Sequence, residues 1–581
     1  MKNMKITKKI IATFLATIAF AVSCDDSFLE VTPTASITNA QLTTKAGLEG
    51  MLIGGYSMLS GRGGFYSGTT NWLWGGILGG DANKGTNAGD QSQVNEIQAY
   101  NSLPTNGSVQ DKYQTTYEGI ARINALLRVL PEGAEDTGEP AYKTRIEAEA
   151  KFLRGFYYFE LKKIYNNTPY IDETVDYGAG INEVSNDADL WPKIEADLSF
   201  AYNNLPETQN AAGRVNKWAA GAYLAKAYLY QKKYAEARTL FTTIIASGKT
   251  STGQAYDLLP RYGDLFRAAN DNNMEIVFSI QSAAGTGTIN NANPDFVLNF
   301  PYNGGPAGCC GFNQPSFDLV NSFRTSAQGL PLLDGSSNSP ANEVKSDQGI
   351  AATATFVPDA GNLDPRLDHA VGRRGIPYLD HGNHPGIAWI RDQNYGGPYA
   401  PKKWVWTKAE EAGGAVDKSS WTPGYTAVNY PLMRFADVLL MAAECEVEVG
   451  SLETARSYVN RVRARAANPA GFVTTDGTTP AANYVISEYT TPWTDQALAR
   501  NAVRMERRLE LSDEGHRFFD LVRWGIASTT LNAYLAYERT KVSASPFAGA
   551  SFTPNKSEYQ PIPQREIDII GTAILKQNPG Y

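Results

Sequence analysis

Helical periodicity constrains this chain more than any other feature. "YQTTYEGIARINALLRVLP" carries apolar residues at helical spacing and stops at Pro131. "RIEAEAKFLRGFYYFELKKIY" repeats the pattern and stops at "NNTP". "LWPKIEADLSFAYNNLP" has Pro192 in its first turn, where a missing N–H does no harm, and ends before Pro206. A first helix is expected near Ala46 to Leu59. Two later stretches, 225–245 and 443–463, match at a constant offset of 218. Ala225 falls on Ala443, Ala227 on Cys445, Tyr234 on Leu452, and Ala237-Arg238 on Ala455-Arg456. Small residues on one helix, and another eight to ten positions later, let two antiparallel helices approach closely, as in a tetratricopeptide-type hairpin. Stacked hairpins make a scaffold with long curved faces.

Between about 275 and 425 the texture changes to Gly, Pro, Asn and aromatic residues. Helical patterning there is confined to "SFDLVNSFR", and "EIVFSIQ" reads as a strand. Long irregular segments of this kind carry function or cover something. The chain divides accordingly: a signal (1–23), a tether (24–45), a helical region (46–274), a loop-rich and aromatic-rich region (275–425) and a second helical region (426–581).

The N-terminus gives an address. Lys2, Lys5, Lys8 and Lys9 precede an almost unbroken apolar run from Ile10 to Val22, and small Ala21 and Ser23 flank the cut. This is a secretory signal, too short to span a bilayer. Ala21-Val22-Ser23-Cys24 reads as an imperfect lipobox, with Cys24 the acylated residue; the plainer alternative is a secreted protein with a chance cysteine at the cut. Several acyl chains anchor far more firmly than one, since each buried CH2 contributes about 0.8 kcal/mol. Removing residues 1–23 takes away four lysines and no acids, moving the net charge from −8 to −12. An acidic chain has no electrostatic reason to bind nucleic acid, and no later stretch of about 20 apolar residues offers a membrane span.

Catalytic signatures are missing: there is no G-x-S-x-G, H-E-x-x-H or phosphate loop. His381 and His384 share "DHGNHPG" but lack a third ligand, so a surface pair is expected rather than a metal site, and no cofactor is implied. Adjacent Cys309 and Cys310 in "GPAGCCGFNQPS" form either a vicinal disulfide in a tight turn or two free thiols. Cys445 lies on an apolar helical face and should pack as a small hydrophobe. Glu510, Asp513, Glu514 and His516 in "LELSDEGHRFFD" could be mistaken for an active site. With Arg504, Glu506, Arg507 and Arg508 beside them, a structural charge network is the better reading.

The chain resembles the SusD/RagB family of nutrient-binding outer-membrane lipoproteins nearly end to end. The resemblance rests on the lipoprotein cysteine with "FLEVTPT", "YEGIARINALL", "AEAKFLRGFYYFELKKIYNNTPYI", "YGDLFRAANDNNMEIVFSIQ", "LDPRLDHAV", "YPLMRFADVLLMAAE" and "RRLELSDEGHRFFDLVRWG". Two departures are Tyr113, where a Trp is common, and an insertion in "SFRTSAQGLPLLDG". The resemblance implies a mainly α fold: a tetratricopeptide-like scaffold of four units with a loop-rich region packed on it. It implies a non-enzymatic lid on a SusC-like TonB-dependent transporter, binding a glycan at the outer membrane. Asp25 and Asp26 behind the anchor fit display toward the cell exterior.

Sugar rings present apolar C–H faces and a hydroxyl rim, matched by aromatic rings and by Asn, Asp, Arg and Gln. Two stretches offer both. The first holds Tyr66, Asn71, Trp72, Trp74, Asp81 and Asn83; Asp81 stands where the family commonly opens a loop near the ligand. The second holds Trp389, Arg391, Asp392, Asn394, Tyr395, Tyr399 and Trp404, and Tyr302 can join it. Alternation predicts that one member of each pair, Trp72/Trp74 and Trp404/Trp406, faces the core. The alternatives to glycan capture are peptide capture by the same architecture and a cryptic hydrolase.

Overall fold

The computed structural model describes residues 38–133, 139, 141–178, 180–542 and 546–581. The signal segment and Cys24 lie outside them. The expected mainly helical architecture is what forms. Helices α1 (Lys45–Ser57), α2 (Gly107–Val129), α3 (Tyr142–Tyr165), α4 (Trp191–Asn204), α5 (Lys217–Tyr230) and α6 (Tyr234–Ser247) pack successively, each on the next. After a long excursion, α7 (Phe435–Val449) packs on α6, and α8 (Leu452–Ala466) and α9 (Gln496–Glu510) pack on α7. The hairpins that match at an offset of 218 are therefore α5/α6 and α7/α8, neighbours in one stack. Their small residues Ala225, Ala227, Ala237, Ala443, Cys445 and Ala455 are all fully buried.

Side chains cap these helices where the sequence offers them. Thr44 accepts from the Gly47 amide at α1, Asn106 from Ser108 and Val109 at α2, and Asp495 from Ala497 and Leu498 at α9. Gly119 of α2 lies directly against α3. A Cβ there would stand 2.7 Å from the Tyr157 ring, and that ring is fixed by the bond its hydroxyl donates to the Gly55 carbonyl. Gly119→Val is expected to cost about 1–3 kcal/mol by overpacking. Chemical denaturation should show a lowered midpoint with an unchanged slope.

The excursion between α6 and α7 is closed at its neck. Strand β2 (Ile276–Ile280) leaves the stack and β4 (Tyr430–Arg434) returns to it, paired antiparallel with Ile276 opposite Arg434 and Ile280 opposite Tyr430. A second ladder joins β1 (Ala82–Gly85) to β3 (Phe312–Pro315). It ties the first aromatic-rich stretch to the excursion, across more than two hundred residues of chain.

Candidate functional site

Most of the aromatic and polar residues expected at a ligand lie inside. Tyr66, Asn71, Trp72, Trp74, Asp81, Asn83, Tyr395, Tyr399 and Trp404 are each at most 6% exposed, and each has an internal role. The Trp72 indole donates to the carbonyls of Phe65 and Asp295, and that of Trp74 to Tyr66. Asn71 donates to Glu160, and Asn83 to Glu538 while accepting from the Tyr534 hydroxyl. Asp81 is pushed up to about 6 by burial, against the pull of Arg508 and Arg517. The Tyr395 hydroxyl donates to Asn95, Tyr399 packs edge-on to Phe317, and Trp404 packs edge-on to Phe266 and Phe296 and tilted against Tyr430. Trp406 is buried as well. One member of each pair does not stay outside, as alternation predicted: all four rings are buried, because Trp72 and Trp74 are held in a π-helical turn by bonds to Asp295 and Tyr66, and Trp404 and Trp406 are covered by Tyr430 and Phe300.

What remains at the surface is a compact group. Tyr302, Trp389, Arg391 and Asp392 are partly exposed and Asn394 is exposed. The Tyr302 amide donates to the Trp389 carbonyl at 2.9 Å. The Arg391 guanidinium lies 5.1 Å from the centre of the Tyr302 ring, a cation–π contact. One of its nitrogens donates to Asp90 at 2.5 Å and to Thr86 at 2.9 Å. Both partners lie just beyond β1, so the β1:β3 ladder brings the two expected stretches together at Arg391. Trp389 rests edge-on against Tyr378 and His384, at 5.4 and 5.3 Å between ring centres, and the tip of the 303–309 turn lies close to its indole at Gly304. The side chain of Asn303 is exposed beside them. Asp392 accepts from the Asn394 amide and shapes the turn.

The histidines are not a surface pair. His384 is buried beneath Trp389, its Nδ1 accepting from the Gly386 amide at 3.1 Å. Burial and the nearby Lys402 charge push it down to about 3, so the ring is neutral. His381 Nε2 is bonded to the Trp406 carbonyl. Among the described residues, no group of three or more His, Cys, Asp or Glu is placed to hold a metal ion.

One exposed aromatic escaped the sequence reading. Trp421 is 54% exposed, and its indole donates to the Tyr425 hydroxyl at 3.2 Å. The neighbouring Thr422 hydroxyl donates to the Ala307 carbonyl, fastening this turn to the one that follows Tyr302. Its polar flanks in "DKSSWTPG" are the signal that could have found it.

The charged cluster at the end of α9 is closed. Glu510 accepts from Arg434, Arg366 and Arg465; Glu514 from Arg434 and Lys403; Glu506 from Arg366 and Arg463; and Glu275 from Arg434 and Arg465. Every one of these side chains is at most 3% exposed. His516 is pushed down to about 4 by burial and by Lys226. These charges pin α8, α9, β2, β4 and the excursion to one another.

A groove of about 490 Å³ lies between α2 and the helix Gln564–Ile570. Ile120, Ile171, Ile181, Ile569 and Ile570 wall it, and its polar groups bond one another, Arg62 to Glu118 and Gln114 to Glu566.

Comparison with known proteins places the chain. A model described as the SusD family matches residues 274–581, and one described as starch-binding, associating with the outer membrane, matches residues 28–229. A SusD-like protein of Formosa agariphila is 28% identical, covering 72% of this chain and 71% of its own length. The starch-binding protein SusD of Bacteroides thetaiotaomicron is 23% identical over the full length of both. Surface glycan-binding protein A of Bacteroides thetaiotaomicron, solved with laminarihexaose, shares the fold at a TM-score of 0.60 with 20% identity, over 92% of this chain and 100% of that one. With its C-terminal half matched by one family model, much of its N-terminal part by a second, and its helical stack reproduced in solved relatives, this chain belongs to the SusD family.

Proposed function

We propose that this protein captures an oligo- or polysaccharide on the Tyr302–Trp389–Arg391 face and hands it to a SusC-like TonB-dependent transporter. The observation that carries the reading is the pairing of two partly exposed rings with an arginine and exposed amides, on irregular loops held by a rigid stack. Rings cover the apolar faces of a sugar, and the arginine and amides take up its hydroxyls. The family's members are carbohydrate-binding proteins, not enzymes, and the outer membrane stands in one of the two matching family descriptions. The lipobox at Cys24 supplies the anchor in this reading, with Asp25 and Asp26 favouring outward display. The mature charge of −12 disfavours a polyanionic glycan at long range, so a neutral one is the better fit.

Titration calorimetry of the chain from residue 25 with laminarihexaose and with maltohexaose tests this, preceded by a glycan array. An open face should bind with a Kd from roughly micromolar to millimolar, about −8 to −4 kcal/mol, and should leave the oligosaccharide uncleaved. A folded protein that binds nothing on the array would overturn the reading, as would accumulation of cleaved product.

A further inference from the structure

Cys309 and Cys310 are joined in a disulfide, and we propose that this disulfide is a positioning element of the ligand face, holding Tyr302 beside Trp389. The inference rests on the glycan reading above for its functional consequence, though not for its structural part.

The segment from Phe300 to Phe312 folds back on itself. The Gly311 amide donates to the Phe300 carbonyl, that of Phe312 to Leu298, that of Asn303 to Gly308, and that of Gly308 to Gly305. Tyr302 lies in the outgoing limb, and a Cβ at Gly311 of the returning limb would stand 3.4 Å from the Tyr302 Cβ. The two limbs therefore set the ring's place together. Between them run Gly304, Gly305 and Gly308, with Gly304 and Gly308 at φ of 78° and 71°. A turn this rich in glycine loses much conformational freedom when ordered and has few side chains to hold it. The disulfide meets that need. Cys310 is buried, 5% exposed, within the main core cluster, while Cys309 is partly exposed at the surface. Their bond adds no new link between distant points, since the two are chain neighbours, but it restricts the backbone where the exposed turn passes into the interior. The same turn receives the Thr422 hydroxyl at Ala307, so its order extends to the turn bearing Trp421.

Reduction tests this, because Cys309 can be reached from solvent. A phosphine such as TCEP supplies two electrons, the S–S bond becomes two thiols with protons from water, and the phosphine leaves as its oxide. The expected result has two parts. Amide exchange of Asn303, Gly308 and Gly311 should speed up at least ten-fold on reduction, with exchange in α5 and α7 unchanged. Affinity for laminarihexaose, or for whichever array glycan the oxidised protein binds, should weaken at least five-fold and return on reoxidation. The Cys309→Ser/Cys310→Ala double variant should behave as the reduced protein does, and its melting curve checks that it folds. Unchanged exchange on reduction overturns the proposal. So does faster exchange with undiminished affinity. If the oxidised protein binds no glycan, the functional reading fails instead, and the exchange data alone decide the positioning role.

Discussion

Glu510→Ala is expected to lower the stability of the fold by about 3–5 kcal/mol, the range for removing one partner from a buried ion pair. Three guanidiniums, Arg366, Arg434 and Arg465, converge on this one carboxylate. Asp364, Glu506, Glu275 and Glu514 satisfy them in part, which keeps the loss from growing larger. Burial alone would push the Glu510 carboxyl up, but Arg465, Arg434 and Arg366 outweigh it and hold it well below the ordinary carboxylate range. A carboxylate held low in the folded state contributes stability that is fully present above its unfolded value, about 4.3. The contribution fades as pH falls from there toward the folded value. Wild type and Glu510→Gln should therefore differ by a constant amount from pH 8 to about pH 5 and converge below about pH 4. Equilibrium unfolding in urea across that range measures it. Ligand affinity of the folded variant should stay at the wild-type value; lost affinity at unaltered stability would return "LELSDEGHRFFD" to candidacy as a binding site.

The scaffold was legible because its signal is local. A 3.6-residue apolar stripe, a proline in a first turn and a capping Thr, Asn or Asp are written within a dozen residues, and α2, α3 and α4 form where such marks stand. The hairpin match was legible for a similar reason: small residues at Ala225 and Ala443 allow one geometry of close approach. The ligand face was legible only in outline. Trp, Tyr and Asn serve a sugar and a protein core with the same chemistry, so composition marked the right segments without sorting their members. What sorts them is non-local. Asn83 is buried because β1 pairs with β3 and Tyr534 reaches its side chain. Asn71 is buried because Glu160 of α3 takes its amide. Trp404 is buried because Tyr430, at the start of β4, lies 4.5 Å away ring to ring. None of these partners lies within twenty residues, and no periodicity announces them. Trp421 shows the converse: polar neighbours left it outside, but the bond from the adjacent Thr422 to Ala307 that places its turn needs the folded chain to be seen.

Trp389→Ala is expected to weaken glycan binding by about 2 kcal/mol, roughly thirty-fold in Kd, the scale of a large aromatic anchor at the centre of a contact. Tyr302→Ala should follow with a smaller loss, about 1 kcal/mol, because its ring is already partly spent on Arg391. The discriminating control comes from inside the same stretch. Tyr399 is 1% exposed against Phe317, so Tyr399→Ala should open a cavity and cost about 3–5 kcal/mol of stability. Affinity of its folded fraction should stay near wild type. Trp389, only partly covered by Tyr378 and His384, should give the opposite pattern, a large affinity loss with a small drop in melting temperature. Calorimetric titration paired with thermal melts separates the two. If Trp389→Ala and Tyr302→Ala both bind a proven glycan like wild type, the face is not the site. The turn bearing Trp421 and the groove beside Ile569 would then be the surfaces to mutate, and a Trp421→Ala loss of ten-fold or more would move the contact to the far side of the disulfide turn.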